Sequence, residues 1–176
     1  DTQRGIIQRE IARGDDEPGR RIHNLFKRTI FRKHPARHRT IGYEEQFNTV
    51  QRADLLSFHS RTYVPENIIC VAVGDFDGTQ MMAHLTDLVK GEPRKALRRK
   101  ALPGQNQQIS ARESLVEDDS LSRAYMITGW PTVDLFSPDL YALDVAAYIL
   151  GHGKSSRLVR DLRDEKGLVD AISVYS

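Results

Sequence analysis

Residues 50–77, "VQRADLLSFHSRTYVPENIICVAVGDFD", carry a helical pattern, a turn and a strand-like run in succession. In the first part Leu55, His59 and Tyr63 fall on one face of a helix, and "VPEN" ends it because the residue before a proline disfavours helical backbone. "IICVAVG" is then a continuous apolar run closed by Gly74, which is typical of a strand buried on both faces. The stretch therefore predicts a helix that leads through a turn into an inner strand.

The remaining chain repeats both kinds of pattern. Apolar residues at helical spacing predict helices within 4–18, 15–31, 43–50, 78–91, 139–151 and 155–167. Shorter runs predict strands over 109–116, 122–130 and 168–176. This order of elements predicts an α+β fold.

A change in composition divides the chain. Between Gly91 and Gln108 it becomes rich in Pro, Gly, Gln and Arg and loses any period. We therefore expect a first unit over 1–91, a linker over 92–108 and a second unit over 109–176. Both ends look cut, since the chain stops at the end of a predicted strand.

Composition narrows the class of protein. The 176 residues are 39% hydrophobic and 28% charged, which is typical of a soluble globular protein. No apolar run approaches the roughly 20 residues that cross a bilayer. The net charge of +2 is too small, and the charges are too mixed in sign, for a nucleic-acid binder, and we interpret the basic stretch at 92–100 as a solvated linker.

The lone Cys70 excludes an internal disulfide, and its apolar neighbours predict a buried thiol.

One acidic residue interrupts an apolar helical face. In "RGIIQREI" the stripe of Ile6, Ile7 and Ile11 includes Glu10. Burying an unpaired carboxylate costs at least several kcal/mol, so Glu10 is protonated, paired with a cationic side chain, turned to solvent or bound to a cation.

No complete catalytic motif occurs in the sequence. None of the six histidines stands in HxxEH or HExxH spacing, and His34 and His38, four residues apart, belong to a loop rich in arginine. No serine lies in a G-x-S-x-G motif. "GHGKSSR" at 151–157 lacks the spacing of a phosphate-binding loop, and two closely spaced helix ends explain it better.

Three stretches together resemble the insulinase/pitrilysin-type zinc metallopeptidases, the inverzincins. "RGIIQREI" is similar to the helix downstream of their HxxEH motif, and 50–77 is similar to their helix, Tyr-x-x-Pro-x-Asn turn and Val-Gly-Asp strand. Residues 129–168 resemble the opening of the next homologous domain. The resemblance implies parts of two α/β-sandwich domains that form half of a chamber in which peptides or unfolded polypeptides are cleaved.

The resemblance also assigns roles to individual residues. It makes Glu10 the equivalent of the third zinc ligand and Arg157 a substrate-binding residue. HxxEH itself is absent, so we expect zinc in the parent protein, a zinc metalloendopeptidase, but no complete catalytic site and no tightly bound zinc in this chain. The implied partners are a peptide substrate and a homologous domain or subunit, in the cytoplasm or periplasm of a bacterium.

Two positions depart from the pattern of active members. Gln3 stands where many of them carry a second glutamate, and Asp170 stands where they carry a tyrosine. An aspartate repels a developing oxyanion that a tyrosine hydroxyl would stabilise. These departures favour an alternative, a non-catalytic peptidase-like subunit or scaffold that partners an active homologue.

Overall fold

The computed structural model describes residues 2–90, 101–104 and 110–176. Their regular structure is helical, and each predicted helix has a counterpart. The elements are α1 (Thr2–Asp16), α2 (Pro18–Ile30), α3 (Glu44–Thr49), α4 (Arg52–Thr62), α5 (Gly78–Leu88), α6 (Leu140–Gly151), the 3-10 turns Pro35–Arg37 and Pro65–Asn67, and a π-helical segment, Val159–Glu165.

The predicted α+β fold, with its α/β sandwiches, is wrong for the described residues, which contain no strand. At Ile68 the backbone is extended, with φ −108° and ψ 131°, yet Ile69 and Val73 are 89% and 93% exposed. β-branched residues favour extended backbone, but a strand also needs a partner in hydrogen-bonding register, and none of the described segments supplies one. Cys70 lies in this run and is exposed, so the predicted buried thiol is also wrong.

The chain divides into two compact units, one ending at Thr128 and the other formed by Gly129–Ser176. Most of the predicted linker, 92–108, lies outside the described residues. The proposed boundaries of the two homologous domains therefore remain a prediction.

The first unit is organised around α1 and α2, which contact each other. They are separated by Glu17 alone, and Pro18 begins α2 because a helix needs no amide donor at that position. Ile11 of α1 is completely buried. This burial orients the face of α1 that carries Glu10.

Polar contacts fasten α3 to α1. The Arg4 guanidinium donates to the carbonyl oxygens of Val50 and, at 3.4 Å, Asn48, and it lies 5.6 Å from the centre of the Phe47 ring. The Gln8 amide donates to the Asn48 side chain at 2.8 Å. These contacts hold Phe47 beside α1, where it lines a cleft together with Glu10.

A second set of contacts holds the 110–118 segment on α2. Arg112 donates to the Ile30 carbonyl at 3.0 Å, and the hydroxyls of Thr29 and Ser114 are 2.9 Å apart. Arg21 forms an ion pair with Asp118. This predicted strand is therefore attached through side chains rather than through a backbone ladder.

In the second unit, the end of α6 packs directly on the C-terminal residues. A Cβ atom added at Gly151 would lie 2.5 Å from the backbone nitrogen of Val174. Ala147 and Val159 are buried. Only glycine permits this approach between α6 and the chain end.

We expect Gly151→Ala to lower the free energy of unfolding by about 1–3 kcal/mol, because the added methyl group overlaps backbone atoms that cannot rotate away. Urea denaturation followed by circular dichroism measures the change. Gly78→Ala is the matched control, since nothing lies within 4 Å of its added Cβ. Equal stability of the two variants would contradict the close packing.

The contact between α2 and Asp118 makes stability depend on pH. Hydrogen bonds from the Ser120 hydroxyl and the Arg21 guanidinium lower the pKa of Asp118 from 3.8 to about 2. Because the folded state has the lower pKa, this stabilisation is present above pH 4 and disappears as the pH falls through 2.

We therefore expect the melting temperature of Asp118→Asn to lie below that of the unmodified chain at pH 6 and to converge with it near pH 2. Thermal melts across this range test the expectation. Asp119→Asn, at the exposed neighbouring carboxylate, serves as the control. A difference in melting temperature between Asp118→Asn and the unmodified chain that is the same at pH 2 as at pH 6 would refute the expectation.

Candidate functional site

Glu10 lines an open cleft of about 830 Å³ in the first unit. Ile7 and Gly14 of α1 line it together with Glu10, and α2 contributes His23 to the lining. Glu10 is exposed, whereas the next residue, Ile11, is buried. The buried face of α1 is therefore centred on Ile11 rather than on Glu10, and the Glu10 carboxylate remains accessible from the cleft.

The structure shows one of the four alternatives for Glu10, since its side chain is exposed to solvent. Within the part of the chain that the structure describes, the Glu10 side chain forms no hydrogen bond and no ion pair. No group of three His, Cys, Asp or Glu side chains among those residues could hold a metal ion. Glu10 can offer one ligand oxygen here, so its role as a metal ligand remains a prediction.

Arg39 also lines this cleft and was not identified from the sequence. Its guanidinium pairs with Asp15 at 2.8 Å and lies 5.9 Å from the centre of the Tyr43 ring. Its buried Nε has no hydrogen-bond partner among the described residues. Because Asp15 is far from Arg39 along the chain, no local spacing could have indicated this contact.

The two loop histidines have structural neighbours. His34 Nδ1 accepts a hydrogen bond from the Ala36 amide at 3.1 Å and so caps the turn Pro35–Arg37. His38 lies edge-on to Tyr43, with ring centres 6.2 Å apart. The structure does not bring either of them together with Glu10 in a metal-binding group.

Arg157 belongs to the second unit and lines a cleft of about 380 Å³. This basic cleft is formed by Tyr148, Ile149, His152, Ser155, Ser156, Arg157 and Arg160. Arg157 is exposed at its surface.

Gln3 and Asp170, the two positions that depart from the pattern of active members, are both exposed. Gln3 is exposed in the first turn of α1, two turns before Glu10. Asp170 is exposed beyond the π-helical segment and does not line the basic cleft.

Comparisons with known proteins match most of the chain to one peptidase family. Residues 49–176 match the family model described as the peptidase M16 inactive domain. The chain is 33% identical over 181 residues to an uncharacterized zinc protease of Mycobacterium tuberculosis, covering 100% of this chain and 40% of the relative. It is 30% identical over 173 residues to a zinc protease of Helicobacter pylori, covering 94% of this chain and 38% of that one.

Two solved structures share its fold. A protease from Helicobacter pylori aligns with a TM-score of 0.72 and 24% identity, over 99% of this chain and 45% of that chain. A peptidase M16 inactive domain from Pseudomonas fluorescens aligns with a TM-score of 0.66 and 18% identity, over 98% and 41%. The chain thus spans about 40% of the curated relatives that it matches.

The geometry at Glu10 generates a prediction about zinc. We expect the purified chain, dialysed after exposure to zinc, to retain less than about 0.1 equivalent, because tight zinc sites need three or four ligands and Glu10 supplies one. Atomic emission measures the metal, and Glu10→Gln should leave the content unchanged. One equivalent of zinc that disappears in Glu10→Gln would contradict the expectation.

Proposed function

The chain belongs to the M16 peptidase family, and on that basis we propose that it is a segment of a zinc metalloendopeptidase that supplies one zinc ligand and part of the peptide-binding wall. The observation that carries the proposal is the position of Glu10. It stands where the resemblance assigns the third ligand, and it lies exposed and unpaired on the wall of a cleft. A carboxylate in that state is available to a metal held by a neighbouring segment.

The donor chemistry fits this role. Zinc accepts carboxylate oxygen together with imidazole nitrogen, and when bound it lowers the pKa of a water ligand and polarises the scissile carbonyl. Glu10 would hold the ion from the α1 side. The buried Ile11 keeps α1 in place and so orients the carboxylate.

The proposed substrate is a peptide or unfolded polypeptide. Arg157 is the candidate for binding it, because a guanidinium donates several hydrogen bonds to backbone carbonyl or carboxylate oxygens. A homologous domain or subunit is the proposed partner, in the cytoplasm or periplasm of a bacterium. No helix in the described ranges is long and apolar enough to cross a membrane.

A second candidate function has specific support. The family model that matches 49–176 is the one described as inactive, and Gln3 and Asp170 replace residues of the active pattern. As a second candidate we therefore propose a non-catalytic peptidase-like subunit that completes the chamber of an active homologue.

Glu10→Gln in the parent protein tests the first function. We expect zinc content to fall and peptide hydrolysis to drop by about a hundred-fold or more, because loss of a ligand removes several kcal/mol of transition-state stabilisation. Zinc stoichiometry and cleavage of a quenched fluorescent peptide are the measurements.

Glu17→Gln is the matched control. Glu17 lines the same cleft, but it already pairs with Arg20 at 2.7 Å, so its loss should change hydrolysis less than about two-fold. Undiminished zinc and activity in Glu10→Gln would overturn the ligand assignment. A parent that lacks HxxEH and gains activity only with a homologue would favour the non-catalytic subunit.

A further inference from the structure

The C-terminal end of α1 carries carboxylates at Asp15 and Asp16. The backbone dipole makes this end of a helix partly negative, so acidic side chains are unfavourable there. Arg39, from the loop that precedes α3, places its guanidinium nitrogen Nη2 2.8 Å from the Asp15 carboxylate. Its positive charge therefore offsets both the carboxylate and the helix dipole at the point where α1 ends.

Arg39 lies on the face of α1 that carries Glu10. Gly14 is one helical turn beyond Glu10, and residues four apart share a helix face. Gly14 is buried, and a Cβ atom added to it would lie 3.8 Å from Nη2 of Arg39. The Arg39 side chain is only 15% exposed. Arg39 is thus packed against α1 one turn from the candidate zinc ligand.

The segment from Arg39 to Val50 attaches to both ends of α1. Its first residue pairs with Asp15 near the C-terminal end of α1. The carbonyl oxygen of its last residue accepts a hydrogen bond from Arg4 in the first turn of α1. Glu10 lies between these two attachments, so the direction of α1 at Glu10 depends on both.

A second arginine near Gly14 does not hold α1 in this way. In Arg20, Nη1 would lie 3.7 Å from the same added Cβ atom. Its partner, however, is Glu17, three residues away, and the two side chains are 56% and 51% exposed. An ion pair this local and this open to water joins no separate elements and contributes little. Arg20 therefore matches Arg39 in charge and location but not in its attachment to α1.

We propose that Arg39 is a positioning residue for the candidate metal site, because by holding the end of α1 it fixes the direction in which Glu10 presents its carboxylate. A helix of about 15 residues is only marginally stable by itself in water, so α1 depends on such contacts. Groups that orient a metal ligand without touching the metal change metal affinity by about ten- to a hundred-fold. This inference rests on the proposed function, since it takes Glu10 as the zinc ligand.

The sign of the change in zinc affinity separates positioning from simple electrostatics. Arg39 is a cation near Glu10, so removing its charge alone would raise the affinity for a second cation, the zinc ion. Loss of the contact that holds α1 lowers the affinity instead. A weaker zinc complex after removal of a positive charge therefore indicates positioning.

Zinc affinity of the parent protein, measured by competition with a chromophoric chelator, tests the proposal. We expect Arg39→Gln to weaken zinc binding about ten-fold. Asp15→Asn should weaken it by a similar factor and the double variant no further, because both changes break the same ion pair. Arg39→Lys should restore part of the affinity, since it keeps the charge but loses the planar guanidinium.

Two arginine variants are matched controls. Arg20→Gln removes a positive charge beside the same face of α1 and should not weaken zinc binding. Arg21→Gln breaks a different ion pair of the first unit, with Asp118, and Arg21 does not line the cleft. It therefore reports the effect of lost stability alone, and thermal melts followed by circular dichroism compare the stability of all variants.

Hydrogen exchange on the purified chain follows α1 without zinc. We expect the amides of residues 10–16 to exchange faster in Arg39→Gln and Asp15→Asn than in Arg20→Gln, because the end of α1 opens more often once the ion pair is lost. The amides of α6 belong to the second unit and should not change. They provide the internal reference.

Three outcomes would overturn the proposal: unchanged zinc affinity in Arg39→Gln, equal weakening in Arg21→Gln, or unchanged exchange of the α1 amides. If Arg39→Gln does not fold, Asp15→Asn, at a carboxylate that is 53% exposed, decides the same point. Failure of the proposed function looks different, because Glu10→Gln would then keep its zinc. Failure of the Arg39 role alone leaves Glu10→Gln deficient in zinc.

Discussion

Burial of Ile11 against the rest of the first unit is the constraint from which the candidate metal ligand follows. Neighbouring residues on a helix are about 100° apart, so a fully buried Ile11 sets Glu10 at the margin of the buried face. The margin is where a carboxylate can stay hydrated and still line a cleft. The position of Glu10 therefore depends on an apolar contact one residue away.

The helices could be predicted because their signals are local. Pro18 begins α2 at the position where a proline is tolerated, and Asp77 accepts a hydrogen bond from the Gln80 amide at 2.9 Å to cap α5. The predicted strands, by contrast, are wrong for the described residues, because a strand requires a partner that no local signal specifies. Ile69 and Val73 specify extended backbone, but their partner would have to come from elsewhere in the chain, and a run of residues carries no information about that partner.

In the candidate site, too, the residues with local sequence signals could be predicted, whereas the contacts between distant residues could not. The sequence and its family resemblance select Glu10 and Arg157, since both belong to recognisable local stretches. The residues around them depend on contacts between positions far apart in the chain, such as Arg39 with Asp15, or on the number of residues per helical turn. At 3.6 residues per turn Asp161 would lie beside Arg157, but the segment from Val159 is π-helical and Asp161 pairs with Lys166 instead.

The exposed run at 68–73, "IICVAV", has a further consequence for the protein in solution. It has no charge, no proline and no glycine, and Ile69, Val71 and Val73 are 89%, 82% and 93% exposed. Six-residue windows of this composition are those that stack between molecules into steric zippers. We therefore expect this window to favour fibril formation when the chain is concentrated, and a single lysine placed in it to act as a gatekeeper.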